Sequence, residues 1–220
     1  MGALVPNESL QRTFDPPPIF AAARSQNDPG KTAGQIMTVS EGDLMSAHQE
    51  QMRGFSRYNQ EFNRVLYGKV AELGEDERKR DMGAFFGSIH GTLNHILLAD
   101  RIWLGRFAKA FPDMTSLADA DLVHEFSSLS QEICADFDEL SLERQATDRV
   151  ITDWAEELSD ALLAQTMRYS NSSGQVREHP VWVAVAHLFN HQTHHRGQVT
   201  TLLSQLGHDP GVTDYFAYVL

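Results

Sequence analysis

The fold is decided by residues 187–198, whose sequence is HLFNHQTHHRGQ. Four of the chain's ten histidines fall within nine residues here, inside an apolar run over 181–206 that predicts a single helix. Side chains four residues apart lie on the same face of a helix, one turn from each other. His191 and His195 are therefore predicted to present two imidazoles side by side, an arrangement typical of transition-metal ligands.

Composition excludes several classes of function. Of the 220 residues, 41% are hydrophobic and 22% are charged, and the formal net charge is −12. Phosphate contacts need clustered Lys and Arg, which the chain lacks, so we expect no nucleic-acid partner. No apolar run approaches the roughly 18 residues of a membrane span, and no signal peptide is visible. We therefore expect a cytoplasmic protein without a membrane partner.

The single cysteine, Cys134, rules out an internal disulfide and fits a reducing compartment. It lies in an acidic stretch that is predicted to be helical, and negative neighbours raise the pKa of a thiol. We therefore expect Cys134 to contribute to packing and not to act as a nucleophile.

Hydrophobic periodicity divides the chain into an N-terminal segment and a helical domain. Residues 1–38 are predicted to be disordered or extended, because prolines and glycines are scattered there without a sustained period. Residues 39–220 are predicted to form one all-α domain, a four-helix bundle with one long crossover. Its first helix is expected to begin at a capping box with Ser40 as N-cap and to end at Gly74.

The remaining elements follow from the same patterns. The second helix is predicted over 82–110, with apolar residues on more than one face, which indicates a central, buried element. A short helix near 119–129 and a main helix near 131–157 follow. Residues 166–169 and 175–178 flank a turn signal at 171–174, which predicts a small hairpin before the last helix. Gly207 is expected to end that helix.

The third metal ligand is sought on the second helix, which offers His90 and His95. His95 shares its face with small residues, including Gly91 and Thr92, which leaves room for an ion. The face of His90 is more crowded and partly charged. We therefore select His95, while His187, one turn before His191, stays open as a rival ligand.

Three neutral imidazoles suit a divalent transition metal such as Zn, Ni or Fe, whereas Ca and Mg prefer oxygen ligands. Three protein ligands also leave one coordination position open, as in catalytic sites. A lone histidine on an apolar face is more often a hydrogen-bonded core residue, but the combination of three favours metal. The spacing resembles that of zincin proteases, yet Gln192 stands where their general-base Glu lies, so we expect no peptidase chemistry of that type.

Four other polar residues receive weaker predictions. Asn94 and Asp100 are candidate partners for the imidazole N–H groups. Arg101 and Arg196 are expected to form solvated ion pairs in preference to binding an anionic substrate.

Several motifs resemble those of the DinB family of DinB/YfiT-like metalloproteins. Residues 86–95, FGSIHGTLNH, continuing through LADRIWL at 98–104, resemble the family's second-helix signature, and residues 187–199 resemble its last-helix motif. Residues 57–59 and the hairpin at 169–171 also match. The resemblance covers about residues 44–220. Many members carry a tryptophan shortly after the Tyr-Asn pair, where this chain has Gln60-Glu61-Phe62, which affects details of the pocket.

The resemblance implies a DinB/YfiT-type bundle that holds a divalent metal with His95, His191 and His195. It also implies a homodimer and a small-molecule substrate, in some members a low-molecular-weight thiol. We therefore expect a metal-dependent thiol S-transferase. The alternatives are a metal-dependent hydrolase and a non-enzymatic, stress-associated metal-binding dimer. DNA binding, which the family's damage-inducible name suggests, is opposed by the net charge.

Overall fold

The computed structural model describes residues 46–171 and 173–219, and the predicted N-terminal segment 1–38 lies outside them. In the described part the elements are, in order, α1 (Ala47–Ala71), α2 (Glu75–Lys79), α3 (Ile89–Ala110), a 3-10 turn (Thr115–Leu117), α4 (Phe137–Glu157), α5 (Asp160–Leu163), β1 (Thr166–Ser170), β2 (Val176–Pro180), α6 (Val181–Gln205) and α7 (Phe216–Val219). No helix in these residues combines the length and the apolarity that crossing a membrane requires.

The long helices α1, α3, α4 and α6 form the bundle. Helix α1 packs mainly against α4, and α3 packs mainly against α6, so the two predicted histidine-bearing helices are direct neighbours. Strands β1 and β2 form an antiparallel hairpin in which Thr166 pairs with Pro180 and Ser170 pairs with Val176. The predicted all-α four-helix bundle with a small hairpin before the last helix is confirmed.

Two apolar clusters form the core, and a layer of buried polar side chains lies between them along the helices. One cluster surrounds Trp154 and Phe107, and the other surrounds Leu66 and Leu93. Every long helix passes from one cluster to the other through polar residues. We call these the middle polar layer: Asn59, Asn63, Asp100, Arg144, Asp148, Gln192 and Arg196.

Helix α1 begins later than predicted. Ser46 is its N-cap: the hydroxyl accepts from the Gln49 amide, and the Gln49 side chain accepts from the Ser46 N–H, which completes a capping box. The predicted N-cap, Ser40, lies outside the described residues. The charged connection after α1 is not fully irregular, because it contains the short helix α2.

Helix α3 begins at Ile89 and not near residue 82. Gly87 has a φ of 74°, a conformation that a helix cannot include, and Ser88 caps the helix by accepting from the Gly91 amide. Residues 82–87 form a tight turn instead, in which the Met82 amide donates to the Gly87 carbonyl over 2.8 Å. This turn carries Phe86 across the start of α3.

The predicted helix near 119–129 is wrong, and α4 begins at Phe137 and not near 131. Asp136 caps α4 by accepting from the Glu139 amide. In the segment before it, the side chain of Asn94 replaces helical hydrogen bonds: its Oδ1 accepts from the amides of Ile133 and Cys134, and its Nδ2 donates to the Cys134 carbonyl. Backbone carbonyls of this non-helical segment are therefore free to bond elsewhere.

Helix α6 follows β2 directly and covers almost the whole predicted range. Gly207, with a φ of 87°, lies just beyond its last turn, as predicted. The helix therefore holds residues 187–198 in one continuous register.

Candidate metal centre

Three histidines converge between α3 and α6. His95 comes from α3, and His191 and His195 come from successive turns of α6, which places their side chains on one face. One ring nitrogen from each lies within 4.8 Å of the others, and the Nε2 atoms of His95 and His191 are 3.0 Å apart. We call this group the histidine triad. The sequence named the same three residues, and their binding of a metal stays a prediction.

The hydrogen bond on the far side of His95 determines which nitrogen faces the triad. Its Nδ1 lies 2.8 Å from the backbone carbonyl of Leu129, and a carbonyl can only accept, so Nδ1 carries the proton. The neutral ring therefore has its lone pair on Nε2, which points towards His191. An imidazole whose Nδ1–H is held by a hydrogen bond, with the lone pair on Nε2, is the form that binds a transition metal.

His195 is oriented by a side chain from its own helix. Its Nδ1 lies 2.8 Å from Oε1 of Gln198, which leaves Nε2 as the nitrogen with the lone pair. The amide nitrogen of Gln198 in turn lies 3.3 Å from the exposed His194 ring. Two of the three histidines thus have the same tautomer, with Nε2 available as donor atom.

The pKa values of the triad keep its rings neutral near pH 7. Burial, opposed by the Leu129 hydrogen bond, lowers the pKa of His95 to about 4. Burial and the neighbouring His195 and His95 rings lower the pKa of His191 to about 3, and burial also lowers the pKa of His195. Neutral imidazoles are the ligand form, so no proton has to be expelled before an ion binds.

Phe86 covers one side of the triad. Its ring stacks on His95 with centroids 3.8 Å apart and meets His195 edge-on at 5.5 Å. This position depends on Gly91, because a Cβ there would lie 2.3 Å from the Phe86 carbonyl oxygen. The predicted second helix over 82–110 included Phe86, which is wrong. Phe86 lies in the turn before α3, and this turn brings its ring onto His95.

The remaining histidines of the two motifs lie outside the triad. His90 is buried and bonds the Cys134 carbonyl at 3.0 Å, so its ring is engaged away from the triad. His194 is exposed, as expected from its rotation about the helix. The rival ligand His187 is exposed, with its ring 5.7 Å from His191 and 5.0 Å from Trp103.

Gln192 and Arg196 alternate with the triad along α6 but point into the middle polar layer. Gln192 donates to Asp100 over 2.8 Å, and Asp100 also pairs with Arg144 at 2.5 Å. Arg196 is buried, donates to Asn59, and lies over the Tyr58 ring, so its predicted solvated ion pair is wrong.

The other polar predictions also need correction. Asn94 and Asp100 do not contact the triad, because Asn94 binds the backbone of the 133–134 segment and Asp100 binds Arg144. Arg101 pairs with Asp121 and Glu143, but its own side chain is only 8% exposed. The groups that orient the triad are Leu129 and Gln198. Neither was predicted. Leu129 leaves no signal because any residue can supply a carbonyl, whereas the position of Gln198, three residues after His195 on the same helix, could have identified it.

Cys134 is buried and lies before α4, not within a helix as predicted. Burial, with smaller contributions from the Glu139 and Glu143 carboxylates, raises the pKa of its thiol to about 11. A thiol that stays protonated near pH 7 is a poor nucleophile, so this residue belongs to the core.

Comparison with known proteins places the chain in a family. The DinB family model matches residues 45–219, which include all three triad residues. Protein DinB of Bacillus subtilis (strain 168) is 27% identical over 163 residues, an alignment that covers 74% of this chain and 90% of that protein. Because the family model matches most of the chain, the predicted membership is confirmed: the chain belongs to the DinB family.

Proposed function

We propose that this DinB-family protein is a metal-dependent enzyme that activates a low-molecular-weight thiol for transfer to an electrophile. One observation carries the proposal: three neutral imidazoles meet between α3 and α6, with Nε2 lone pairs available and Nδ1 protons engaged on His95 and His195. This nitrogen-only donor set suits Zn, Ni or Fe. A divalent ion held by these residues would lower the pKa of a bound thiol towards neutrality.

The residues around the triad favour such chemistry in identifiable ways. The Leu129 carbonyl and the Gln198 amide hold the rings in the donor tautomer, which avoids a reorganisation cost when the site is loaded. Phe86 shields one face of His95 from water. In the transfer, the thiol sulfur supplies the electron pair for a new S–C bond and the thiol proton passes to solvent. With an epoxide the ring C–O bond breaks and its oxygen takes up a proton from solvent; with a halide the carbon–halogen bond breaks and the halide ion leaves.

The hydrolase alternative has less support. Ester or amide hydrolysis commonly uses a carboxylate as general base beside the nucleophilic water. In the part of the chain that the structure describes, the metal-competent group contains the three histidines alone, without a carboxylate. Gln192, at the position of the zincin Glu, is bonded to Asp100 in the middle polar layer.

The test combines metal analysis with a thiol requirement. Protein purified without a histidine tag should contain about one transition-metal ion per chain. It should couple a thiol to an epoxide, a halide or an activated alkene, and chelation should abolish turnover. His95→Ala should lower both metal content and turnover by at least about 100-fold, whereas His48→Ala, which removes an exposed ring of α1, should leave both unchanged.

Three outcomes would redirect the proposal. Turnover without any thiol would favour the hydrolase. A stoichiometric metal without activity towards any electrophile would favour the non-enzymatic metal-binding role. Full thiol transfer by His95→Ala would exclude the triad from the chemistry. The homodimer stays a prediction, which light scattering of the purified protein tests directly.

A further inference from the structure

A cleft of about 1140 Å³ opens beside the histidine triad. Its walls are the second half of α3, the segment 123–129 and the β-hairpin, with Arg106, Lys109 and Arg168 among the lining residues. These three cations face a single lining carboxylate, Glu125, in a chain whose formal net charge is −12. The cleft is therefore a local positive region on an acidic protein, which favours an anionic occupant.

Arg106 is the central cation of this cleft. Its guanidinium lies 4.6 Å from the ring centroid of Trp103 and 4.9 Å from that of Tyr169, so two aromatic rings hold it in place. Burial lowers its pKa, which the phenol of Tyr169 opposes, and no carboxylate among the described residues forms an ion pair with it. A half-buried arginine without an acidic partner retains its donors for another molecule.

The geometry of this arginine fits an oxyanion. Stacking occupies the faces of a guanidinium and leaves the N–H groups at its edge, in the fork that binds a carboxylate or phosphate with two parallel hydrogen bonds. Lys109 lies on the same helix, one turn beyond Arg106, and Arg168 lies on β1. Both are exposed and line the same cleft, so they add charge around a fixed central contact.

The cleft and the triad share structural elements. Leu129 lines the cleft, and its carbonyl binds His95 Nδ1. On the other side, Arg106 stacks on Trp103, whose ring lies 5.0 Å from His187, and His187 lies 5.7 Å from His191. The cleft therefore adjoins the triad at two places, through Leu129 and through the Trp103 and His187 rings.

Gly105 helps to shape this cleft. A Cβ at this position would lie 2.9 Å from the Val123 carbonyl oxygen and 3.2 Å from Nδ1 of His124. The lack of a side chain lets the 123–129 wall pack closely on α3, directly beside Arg106. The cleft therefore depends on a specific close approach of backbone to helix.

We propose that this cleft binds the oxyanion group, a carboxylate or a phosphate, of a small molecule, with Arg106 as the principal contact. This inference rests on the proposed function only where it identifies that small molecule as a substrate of the metal-dependent reaction. The anion site itself requires neither bound metal nor turnover.

The test is calorimetric titration of the metal-free, full-length protein with two probes, succinate and inorganic phosphate, and with neutral succinamide as control. We expect one of the anions to bind and succinamide not to bind. Stronger binding of succinate assigns the site to carboxylates, and stronger binding of phosphate assigns it to phosphorylated molecules. Failure of both anions to bind would overturn the proposal.

Matched variants locate the site. Arg106→Gln should weaken binding of the preferred anion at least about tenfold. Arg177→Gln removes the same charge from the hairpin at a residue outside the cleft lining and should change the dissociation constant less than about twofold. An equal loss in both variants would reduce the effect to general electrostatics and overturn the proposal.

A second variant keeps the test decisive if Arg106→Gln disturbs the packing of Trp103 and Tyr169. Arg106→Lys retains the charge without the planar fork and should bind the anion roughly threefold or more weakly than the wild type. An affinity equal to that of the wild type would overturn the role assigned to Arg106. Because these measurements involve no turnover, absence of thiol transfer would leave the anion site standing.

Discussion

The middle polar layer and the histidine triad are both clusters of polar side chains between packed helices, but their polar atoms find partners in different ways. In the middle polar layer, Arg144 pairs with both Asp100 and Asp148, and Arg196 donates to the Asn59 amide oxygen. Amides from α1 and α6 add hydrogen bonds to the aspartates, so each charged group has a partner within the chain. In the triad, three imidazoles face one another, and His95 and His195 turn their N–H donors outward to Leu129 and Gln198, which leaves their Nε2 lone pairs facing the cluster.

This difference suggests separate roles for the two clusters, stability for the middle polar layer and ion binding for the triad. A buried group whose partners all belong to the protein contributes to the specificity of packing, and its loss leaves an uncompensated charge. A cluster of lone pairs without donors is unfavourable unless an external cation completes it. We therefore expect substitutions in the middle polar layer to affect folding, and substitutions around the triad to affect ion binding.

The largest expected effect is that of Arg144→Met. The guanidinium of Arg144 pairs with Asp100 at 2.5 Å and with Asp148 at 2.9 Å, and all three side chains are buried. Burial raises the pKa of both carboxyl groups, and Arg144 opposes that rise. Its loss should lower the free energy of unfolding by about 3–5 kcal/mol, measured by urea denaturation of the metal-free protein.

Arg149→Met is the matched control on the exposed side of the same helix, and it should change the free energy of unfolding by less than about 0.5 kcal/mol. If Arg144→Met lowers the free energy of unfolding as little as Arg149→Met does, the middle polar layer has no special role in stability, and the comparison with the triad fails.

An intermediate effect is expected for Gln198→Leu. Removing the acceptor from His195 Nδ1 frees the ring to rotate and to change tautomer, so metal affinity should fall about 10- to 100-fold. Competition with a chromophoric chelator measures this affinity. Gln205→Leu, an exposed position in the last turn of α6, should retain the wild-type affinity. A similar affinity for all three proteins would show that Gln198 does not orient His195.

The smallest expected effect is a pH dependence of the metal-free protein. The folded-state pKa values of His95 and His191, about 4 and about 3, lie below the unfolded value of about 6.5. The unfolded chain therefore binds protons more readily, so stability is complete above about pH 6.5 and is lost as the pH falls towards 4. Urea denaturation at pH 7 and at pH 5 should reveal this loss.

His191→Ala removes the ring with the lowest pKa and should show a smaller loss of stability between pH 7 and pH 5 than the wild type. His48→Ala, in which an exposed ring of α1 is removed, should lose as much stability as the wild type. Equal losses in all three proteins would mean that the triad is not a buried neutral cluster.

The sequence by itself determined the bundle, the hairpin and the three residues of the triad. Most of this depends on local spacing: the 3.6-residue period buries one stripe of a helix, a turn signal joins two short strands, and a four-residue interval aligns His191 with His195. His95 follows from its small neighbours and from the family resemblance. The middle polar layer was not predicted, although Arg144 and Asp148 interrupt the apolar stripe of α4 at the same four-residue interval.

Tertiary structure decided what touches the triad. The 118–136 segment has a helical pattern, but the Asn94 side chain satisfies its backbone at 133–134, and the Leu129 carbonyl stays free for His95. Phe86 reaches His95 only because Gly87 turns the chain and Gly91 leaves room. Backbone carbonyls and close approaches carry no residue signature, because they result from how distant segments pack and not from the order of side chains along one helix.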